Sequence, residues 1–107
     1  MLESSLESKF RKRIKALGHG VLCLKFVSPG FTGVPDRIIL LPGAHVVFAE
    51  LKQPQKKEDP KKRQPYVQGL LRKLGFPVFS AVNTEEKINA VVAYCEAVIR
   101  HEEIRTV

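Results

Sequence analysis

The sequence predicts an α/β fold in which one mixed sheet is flanked by helices. Apolar residues recur at helical spacing in three segments of the chain. Short apolar runs with β-branched and aromatic residues occupy four other segments, and clusters of Gly and Pro separate several of them. The predicted order of elements is α-β-β-β-α-β-α.

The first helix is predicted over residues 2–17. Five apolar residues at intervals of four, four, four and three form one helical stripe: Leu2, Leu6, Phe10, Ile14 and Leu17. Gly18 then favours the end of the helix. Glu7 lies on the flank of the stripe, so its carboxylate is expected at the edge of the core.

Three strands follow, the last two as a hairpin. Residues 21–27 form an apolar run typical of a strand, and the Gly- and Pro-rich residues 28–35 form a loop. Strands are predicted over residues 36–41 and 45–52, with only residues 42–44 between them. So short a connection predicts an antiparallel pair.

The second half of the chain begins with a polar segment. Residues 53–63 contain no apolar side chain except proline, and they predict a solvated basic loop. A second helix is expected over residues 64–74, with Pro65 in its first turn and Gly75 at its end. Residues 76–82 predict the fourth strand.

The last helix is predicted to begin at Asn83. The spacing from Asn83 to Glu86 resembles an N-cap residue and its capping-box partner. The buried stripe of this helix is expected to contain Ile88, Val91, Val92, Cys95, Val98 and Ile99. Residues 100–107 are expected to fray.

Size and composition indicate one globular domain over residues 1–107. No apolar run approaches the roughly 20 residues that span a bilayer. The N-terminus lacks the features of a secretory signal, so Cys23 and Cys95 are expected to be reduced thiols in a cytoplasmic protein. The 18 Lys and Arg against 11 Asp and Glu give a net charge of +7, which favours a polyanionic partner such as nucleic acid.

Three charged residues are expected to meet at the open end of the hairpin. If Gly43 is near the centre of the turn, Asp36 lies opposite Glu50 or within a residue or two of it. Glu50 and Lys52 share one face of their strand. Two neighbouring carboxylates repel each other, and a hard divalent ion such as Mg²⁺ relieves that repulsion. A metal, a lysine and a basic surface together suggest phosphodiester hydrolysis.

Each of these residues also has an ordinary structural interpretation. Glu50 and Lys52 could form a solvated face or a cross-strand ion pair, and Asp36 could be a turn residue. Glu7 alone would be a helix-surface charge. The basic loop over residues 53–63 could serve only solubility, and contact with a DNA backbone is about equally expected. Only the combination of residues at this spacing favours a site.

The motifs Pro35-Asp36 and Glu50-Leu51-Lys52 resemble the Pro-Asp…(Asp/Glu)-x-Lys signature of the restriction-endonuclease-like superfamily, whose core has the same order of elements. More narrowly, the chain is similar to the VRR-NUC (virus-type replication-repair nuclease) domain along most of its length. The matching segments are Glu7, Lys25-Phe26, Gly33-Val34-Pro35-Asp36-Arg37, Phe48-Ala49-Glu50-Leu51-Lys52, and Gln64 with Leu71 and Gly75.

The resemblance implies a metal site that takes Mg²⁺ or Mn²⁺. Asp36 and Glu50 would be metal ligands, and the Leu51 carbonyl would be a further ligand. Glu7 would bind the metal directly or through water.

The resemblance also implies catalytic residues beside the two acids. Lys52 would be the catalytic lysine, and Gln64 would steady the water or the phosphate. Because Pro65 directly follows Gln64, that glutamine could be a cap instead, and Gln68 one turn on is the alternative. The residues expected to contact nucleic acid are Lys25, Arg37, Lys56, Lys57, Lys61, Lys62, Arg63 and Gln68.

The leading interpretation is a Mg²⁺-dependent DNA endonuclease. So small a chain has little room to read base sequence, which favours cutting of branched DNA such as flaps or four-way (Holliday) junctions. Cutting two strands symmetrically requires two sites, which a homodimer would supply. The resemblance suggests a viral or prokaryotic origin. The alternatives are a non-catalytic nucleic-acid-binding module and a nuclease that acts on RNA.

Overall fold

The computed structural model describes residues 5–52 and 63–105. Within these residues the helices are α1 (Ser5–Lys15), α2 (Arg63–Lys73) and α3 (Glu85–Arg105). The strands are β1 (Leu22–Lys25), β2 (Arg37–Leu41), β3 (His45–Leu51) and β4 (Val78–Val82). The observed order of elements is the predicted one, and most of their ends lie within one to three residues of the predicted ends.

The strands form a single mixed sheet in the order β1-β2-β3-β4. β1 pairs with β2, and β2 with β3, in antiparallel fashion. β3 pairs with β4 in parallel fashion, because the connection between them passes through α2. The sheet is therefore mixed, as the sequence predicted.

The core lies between one face of the sheet and the helices α1 and α3. Phe10 and Ile14 of α1 are completely buried, which confirms the predicted apolar stripe where the structure describes it. The sheet and α3 supply the other buried residues of this cluster: Ile39, Leu41, Val47, Ala49, Leu51, Val82, Ile88, Val91, Val92, Cys95 and Ile99. Burial raises the pKa of the Cys95 thiol to about 12, so this cysteine is an unreactive core residue.

The opposite face of the sheet is apolar and only partly covered. Cross-strand partners share a face, and two rows of partners run across this one. The rows are Leu22–Leu40–Val46 and Leu24–Ile38–Phe48. Leu22 and Leu24 are 49% and 45% exposed.

Two predictions about the last helix are wrong. The helix does not fray after residue 99 but continues to Arg105, because Glu102 is buried against the turn of the β2–β3 hairpin. Its N-cap is Thr84 rather than Asn83, since the Thr84 hydroxyl accepts a hydrogen bond from the Lys87 backbone N–H at 3.2 Å. No helix in the described part of the chain is both long and apolar enough to cross a membrane.

Candidate active site

The hairpin of β2 and β3 brings Asp36 opposite Glu50. Leu41 pairs with His45 across the three-residue turn, and Arg37 pairs with Ala49 at the other end. Asp36 immediately precedes Arg37, and Glu50 immediately follows Ala49. The register expected from a turn centred on Gly43 is therefore confirmed.

Reciprocal hydrogen bonds hold the two acids in place. The Asp36 backbone N–H donates to Oε1 of Glu50 at 3.0 Å. The Leu51 backbone N–H donates to Oδ1 of Asp36 at 3.1 Å. Each carboxylate thus accepts a bond from the backbone beside the other, which fixes their relative position without a charged partner between them.

Burial and mutual repulsion make the ionised forms of both acids unfavourable. Glu50 is only 5% exposed, and its burial, followed by the charge of Asp36, raises its pKa to about 7. Burial also raises the pKa of Asp36, against the lowering effects of the Leu51 N–H and the Arg37 charge. The site is therefore short of positive charge, which a cation would supply.

Lys52 and Gln64 link the hairpin to α2. Nζ of Lys52 donates to Oε1 of Gln64 at 3.0 Å. The Gln64 side chain also hydrogen-bonds to Glu50, an interaction that lowers the pKa of that acid. Although Pro65 follows, Gln64 lies within α2 and is not a cap outside it. Of the two predicted glutamines, the structure places Gln64 at the site.

Gln68 does not lie where nucleic acid could reach it. Its side chain is completely buried, and neither of its amide atoms has a hydrogen-bond partner. A contact between Gln68 and a substrate, predicted from its position one turn after Gln64, is therefore not supported by the structure.

Glu7 and Arg37 form a pair beside the two acids. Nη2 of Arg37 lies 3.6 Å from Oε2 of Glu7, and the charge of Glu7 raises the pKa of Asp36. Arg37 is only 8% exposed and faces the core side of the sheet, so it is not positioned to bind nucleic acid as predicted. Its charge instead acts on Asp36 from within the protein.

The other predicted nucleic-acid contacts have mixed outcomes. Lys25 is exposed at the end of β1. Arg63 is exposed at the start of α2, but its Nε donates to the Thr32 carbonyl at 2.7 Å. The remaining predicted contacts, Lys56, Lys57, Lys61 and Lys62, lie outside the described residues.

A β-bulge beside Glu50 is a feature that the sequence did not predict. Ala49 pairs with Phe79 and Leu51 pairs with Val82, so β4 has one more residue than β3 in this interval. Ala81 takes up the extra length with a φ of 52°. Bulges bend a strand and redirect its side chains, and they are common beside active sites. A non-glycine residue with this φ gives no signal in the sequence.

The two acids fit a hard divalent cation. Within residues 5–52 and 63–105, no three His, Cys, Asp or Glu side chains converge closely enough to hold a metal ion. Glu7 does not form a preformed three-carboxylate cluster with Asp36 and Glu50, and its binding to a metal, directly or through water, stays a prediction. One buried and one half-buried carboxylate that lack a sufficient counter-charge are nonetheless a donor set typical of Mg²⁺ or Mn²⁺, which complete their coordination with water and substrate oxygens.

Comparisons with known proteins agree with this geometry. No family model matches the chain. A curated phage protein named "Putative nuclease p44", from Acyrthosiphon pisum secondary endosymbiont phage 1, is 40% identical over 58 residues. The match covers 54% of this chain and 60% of that relative, so the chain spans less than two thirds of the relative's length.

A solved structure described as a VRR_NUC domain has the same fold. It superimposes with a TM-score of 0.69 at 27% sequence identity, over 82% of this chain and 90% of the other. The shared fold and the hairpin that unites the Pro-Asp and Glu-x-Lys motifs lead to one conclusion. The chain is similar to a VRR-NUC domain in sequence and has the same fold.

Proposed function

We propose that this protein is a metal-dependent nuclease that hydrolyses phosphodiester bonds in DNA. The observation that carries the proposal is the pair of half-buried Asp36 and buried Glu50, joined to the Lys52–Gln64 hydrogen bond. The VRR-NUC fold and the name of the phage relative support a nuclease.

Asp36 and Glu50 would hold Mg²⁺ or Mn²⁺, with the Leu51 carbonyl as a further oxygen ligand. A divalent cation at this position supplies Lewis acidity towards a phosphate oxygen and towards water. The Asp36 and Leu51 backbone N–H groups keep both carboxylates aimed at one point, so little reorganisation is needed when the site is filled.

Lys52 would supply a fixed positive charge to the reacting phosphate. Gln64 accepts a hydrogen bond from the Lys52 ammonium and donates one to Glu50, so it sets the distance between the cationic and anionic groups. In this arrangement Lys52 can stabilise charge on the phosphate oxygens or orient the attacking water. Gln64 acts as a positioning residue for both.

A cleavage assay on labelled single-stranded, duplex, flap and four-way-junction DNA tests this proposal, with Mg²⁺, Mn²⁺ or EDTA present. We expect cleavage with either metal and none in EDTA. Lys52→Ala should lower the rate by about 10²-fold or more, because a positioned charged group is lost. Lys15→Ala removes the same charge from the exposed end of α1 and is the matched control. Equal rates for Lys52→Ala and Lys15→Ala would exclude a catalytic lysine.

The same assay distinguishes the alternative functions. A nucleic-acid-binding module would bind these DNAs without cutting them under any metal condition. A nuclease that acts on RNA would cut RNA strands of the same sequence and leave the DNA intact.

We further propose a homodimer that acts on branched DNA. The apolar sheet face around Leu22 and Leu24 supports it, because exposed apolar area of this kind is commonly covered by another chain. A second copy would supply the second site that symmetric cutting of a junction requires.

Light scattering tests the dimer. The wild-type protein should have about twice the 12.0 kDa mass of one chain. Leu24→Lys should give monomers, because it places a charge in the interface, whereas Leu74→Lys alters another exposed apolar residue, after α2, and should not. A monomeric wild-type protein would contradict the dimer and leave the cleavage proposal intact.

A further inference from the structure

Two exposed aromatic rings and an arginine form a stack at the junction of α2 with the β1–β2 loop. The Arg63 guanidinium carbon lies 4.8 Å from the centre of the Phe31 ring and 5.5 Å from the centre of the Tyr66 ring. Phe31 is 43% exposed and Tyr66 is 58% exposed. We refer to Phe31, Arg63 and Tyr66 as the aromatic stack.

Hydrogen bonds hold the backbone around the aromatic stack. The Phe31 N–H donates to the Ser28 carbonyl at 3.2 Å, which closes a turn through Pro29 and Gly30. Gly30 has a φ of 82°, as the third residue of a type II turn requires. The bond from Arg63 Nε to the Thr32 carbonyl then ties this loop to α2.

The loop and the helix approach each other at Gly33. A Cβ atom built on this glycine would lie 2.8 Å from Cγ of Arg63 and 3.1 Å from its backbone carbonyl carbon. Only a residue without a side chain allows this approach, and the φ of 97° at Gly33 favours glycine for a second reason. The position of the stack is therefore set by backbone contacts.

The aromatic stack is connected along the chain to two residues of the candidate active site, Gln64 and Asp36. Arg63 is bonded in sequence to Gln64, which contacts Lys52 and Glu50. The loop that presents Phe31 continues through Gly33 to Asp36. A strand whose phosphate lay at the acids would therefore pass its neighbouring nucleotides close to the two rings.

We propose that the aromatic stack binds unpaired nucleobases of a DNA strand beside the phosphate that is cut. This inference rests on the proposed nuclease function and specifies the form of its substrate. Every base has a face that stacks on an aromatic ring, so the contact tolerates any sequence but requires the base to be free of its partner strand. Arg63 makes a cation–π contact with each ring, and both aromatic residues remain exposed to a strand.

Binding to two strands with the same phosphates but different bases tests this inference. One is a labelled single-stranded oligothymidylate, and the other has the same length with abasic sites in place of the thymidines. Affinities are measured by fluorescence anisotropy in EDTA, so that neither strand is cut. The wild-type protein should prefer the strand with bases by about 5-fold or more, as expected from stacking of even one base.

Three variants test whether the aromatic stack causes the preference for the strand with bases. The double variant Phe31→Leu/Tyr66→Leu should bind the two strands with affinities equal within about 2-fold. Tyr66→Phe retains the ring and should keep the wild-type preference. Tyr94→Leu removes a tyrosine that is 39% exposed on α3 and contacts Phe79, far along the chain from the site, and it should also keep the preference.

A fluorescence measurement on the wild-type protein needs no variant. A 2-aminopurine placed in the single strand should lose fluorescence on binding if it stacks on a ring, and it should be quenched less in duplex DNA. Equal affinity of the wild-type protein for both strands, unchanged fluorescence, or a preserved preference in the double variant would each overturn the inference. Cleavage of single-stranded, flap and duplex DNA by the wild-type protein in Mg²⁺ is measured in parallel, because the absence of cleavage on all three would contradict the nuclease function instead.

Discussion

Buried carboxylates lie at both ends of the β2–β3 hairpin, but the groups that contact them differ between the two ends. At the turn, Oε1 of Glu102 lies 3.1 Å from Nε2 of His45 and 3.6 Å from Nη1 of Arg105. At the open end, the carboxylates of Asp36 and Glu50 accept bonds mainly from backbone N–H groups and an amide. The turn carboxylate has two basic side chains as direct partners, whereas Nζ of Lys52 at the open end bonds to Gln64.

We interpret this difference as that between a structural carboxylate, Glu102, and proposed metal ligands, Asp36 and Glu50. Nζ of Lys52 bonds to Gln64, and Nη2 of Arg37 lies beside Glu7. The charges of these two residues only partly offset the burial that raises the pKa values of Glu50 and Asp36. An acid that is paired inside the protein contributes to folding. An acid that is buried and held by neutral donors stays available to an added cation, at a cost in stability when no cation is present.

The largest expected effect comes from removing one charge of the open end. Asp36→Asn or Glu50→Gln should abolish tight binding of Mg²⁺ and Mn²⁺ and lower cleavage by about 10²-fold or more, because one anionic ligand is lost. Calorimetric titration with Mn²⁺ and the cleavage rate measure the two effects. Glu102→Gln, at the turn, serves as the control with the same chemical change. Wild-type metal affinity in both site variants would refute the ligand assignment.

Two glycines, Gly33 before β2 and Gly43 in the hairpin turn, give the next contrast. A Cβ at Gly33 would meet Arg63, and a Cβ at Gly43 would meet the Glu102 carboxylate; both residues have positive φ. Gly33→Ala and Gly43→Ala should each lower the free energy of unfolding by about 1–3 kcal/mol.

Only Gly33→Ala should also weaken cleavage in protein that is still folded, since it displaces the start of α2 and with it Gln64. Urea unfolding and the specific activity of the folded fraction measure the two quantities separately. Loss of activity in Gly43→Ala to the same extent would show that the two ends of the hairpin are coupled.

The pH dependence of stability should reveal the raised pKa of Glu50 at the open end of the hairpin. The pKa of Glu50 is about 7 in the folded protein against an ordinary value of 4.5, so the folded state holds an additional proton between these pH values. The free energy of unfolding in EDTA should therefore fall as pH rises from about 4.5 to 7 and then level off. The change should be about 2 kcal/mol, allowing for some solvent screening of the shift. Urea denaturation at a series of pH values measures it.

Glu50→Gln should flatten this profile and be more stable than the wild-type protein above pH 7 when no metal is present. A saturating concentration of Mg²⁺ should stabilise the wild-type protein but not this variant. An unchanged pH slope in Glu50→Gln would mean that another group dominates the titration.

The smallest effect is expected at the turn. Glu102→Ala removes the contacts with His45 and Arg105 and should lower the free energy of unfolding by about 1 kcal/mol or less, because both of these partners are exposed side chains. Metal affinity should not change. Thermal unfolding and Mn²⁺ titration check the two statements, and a lower metal affinity would show that the turn helps to form the site.

Local patterns in the sequence were enough to predict the hairpin and its acids. The three-residue turn sets the register, so the meeting of Asp36 with Glu50 follows from counting residues on either side of Gly43. The helical stripe of α1 is equally local. Such features depend on spacing along a short stretch of chain, which a single sequence displays directly.

The features that the sequence did not predict depend on contacts between distant segments. Arg37 and Gln68 are polar residues that long-range packing buries, so their surface roles were predicted incorrectly. The last turns of α3 form because Glu102 contacts His45, which is 57 residues away in the chain. Helical periodicity contains no information about such a partner.

The bulge at Ala81 determines how changes in chain length would affect the protein. Phe79 and Val82 both face the core although they are three positions apart rather than two, because Ala81 adds one residue to β4. Deleting Ala81 would restore a regular two-residue step, and Val82 would still lie opposite Leu51 with the same face towards the core. The core would keep its apolar contacts, but the bend beside Glu50 would be lost. We therefore expect the deletion of Ala81 to affect the proposed site at the acids more than the packing of the core.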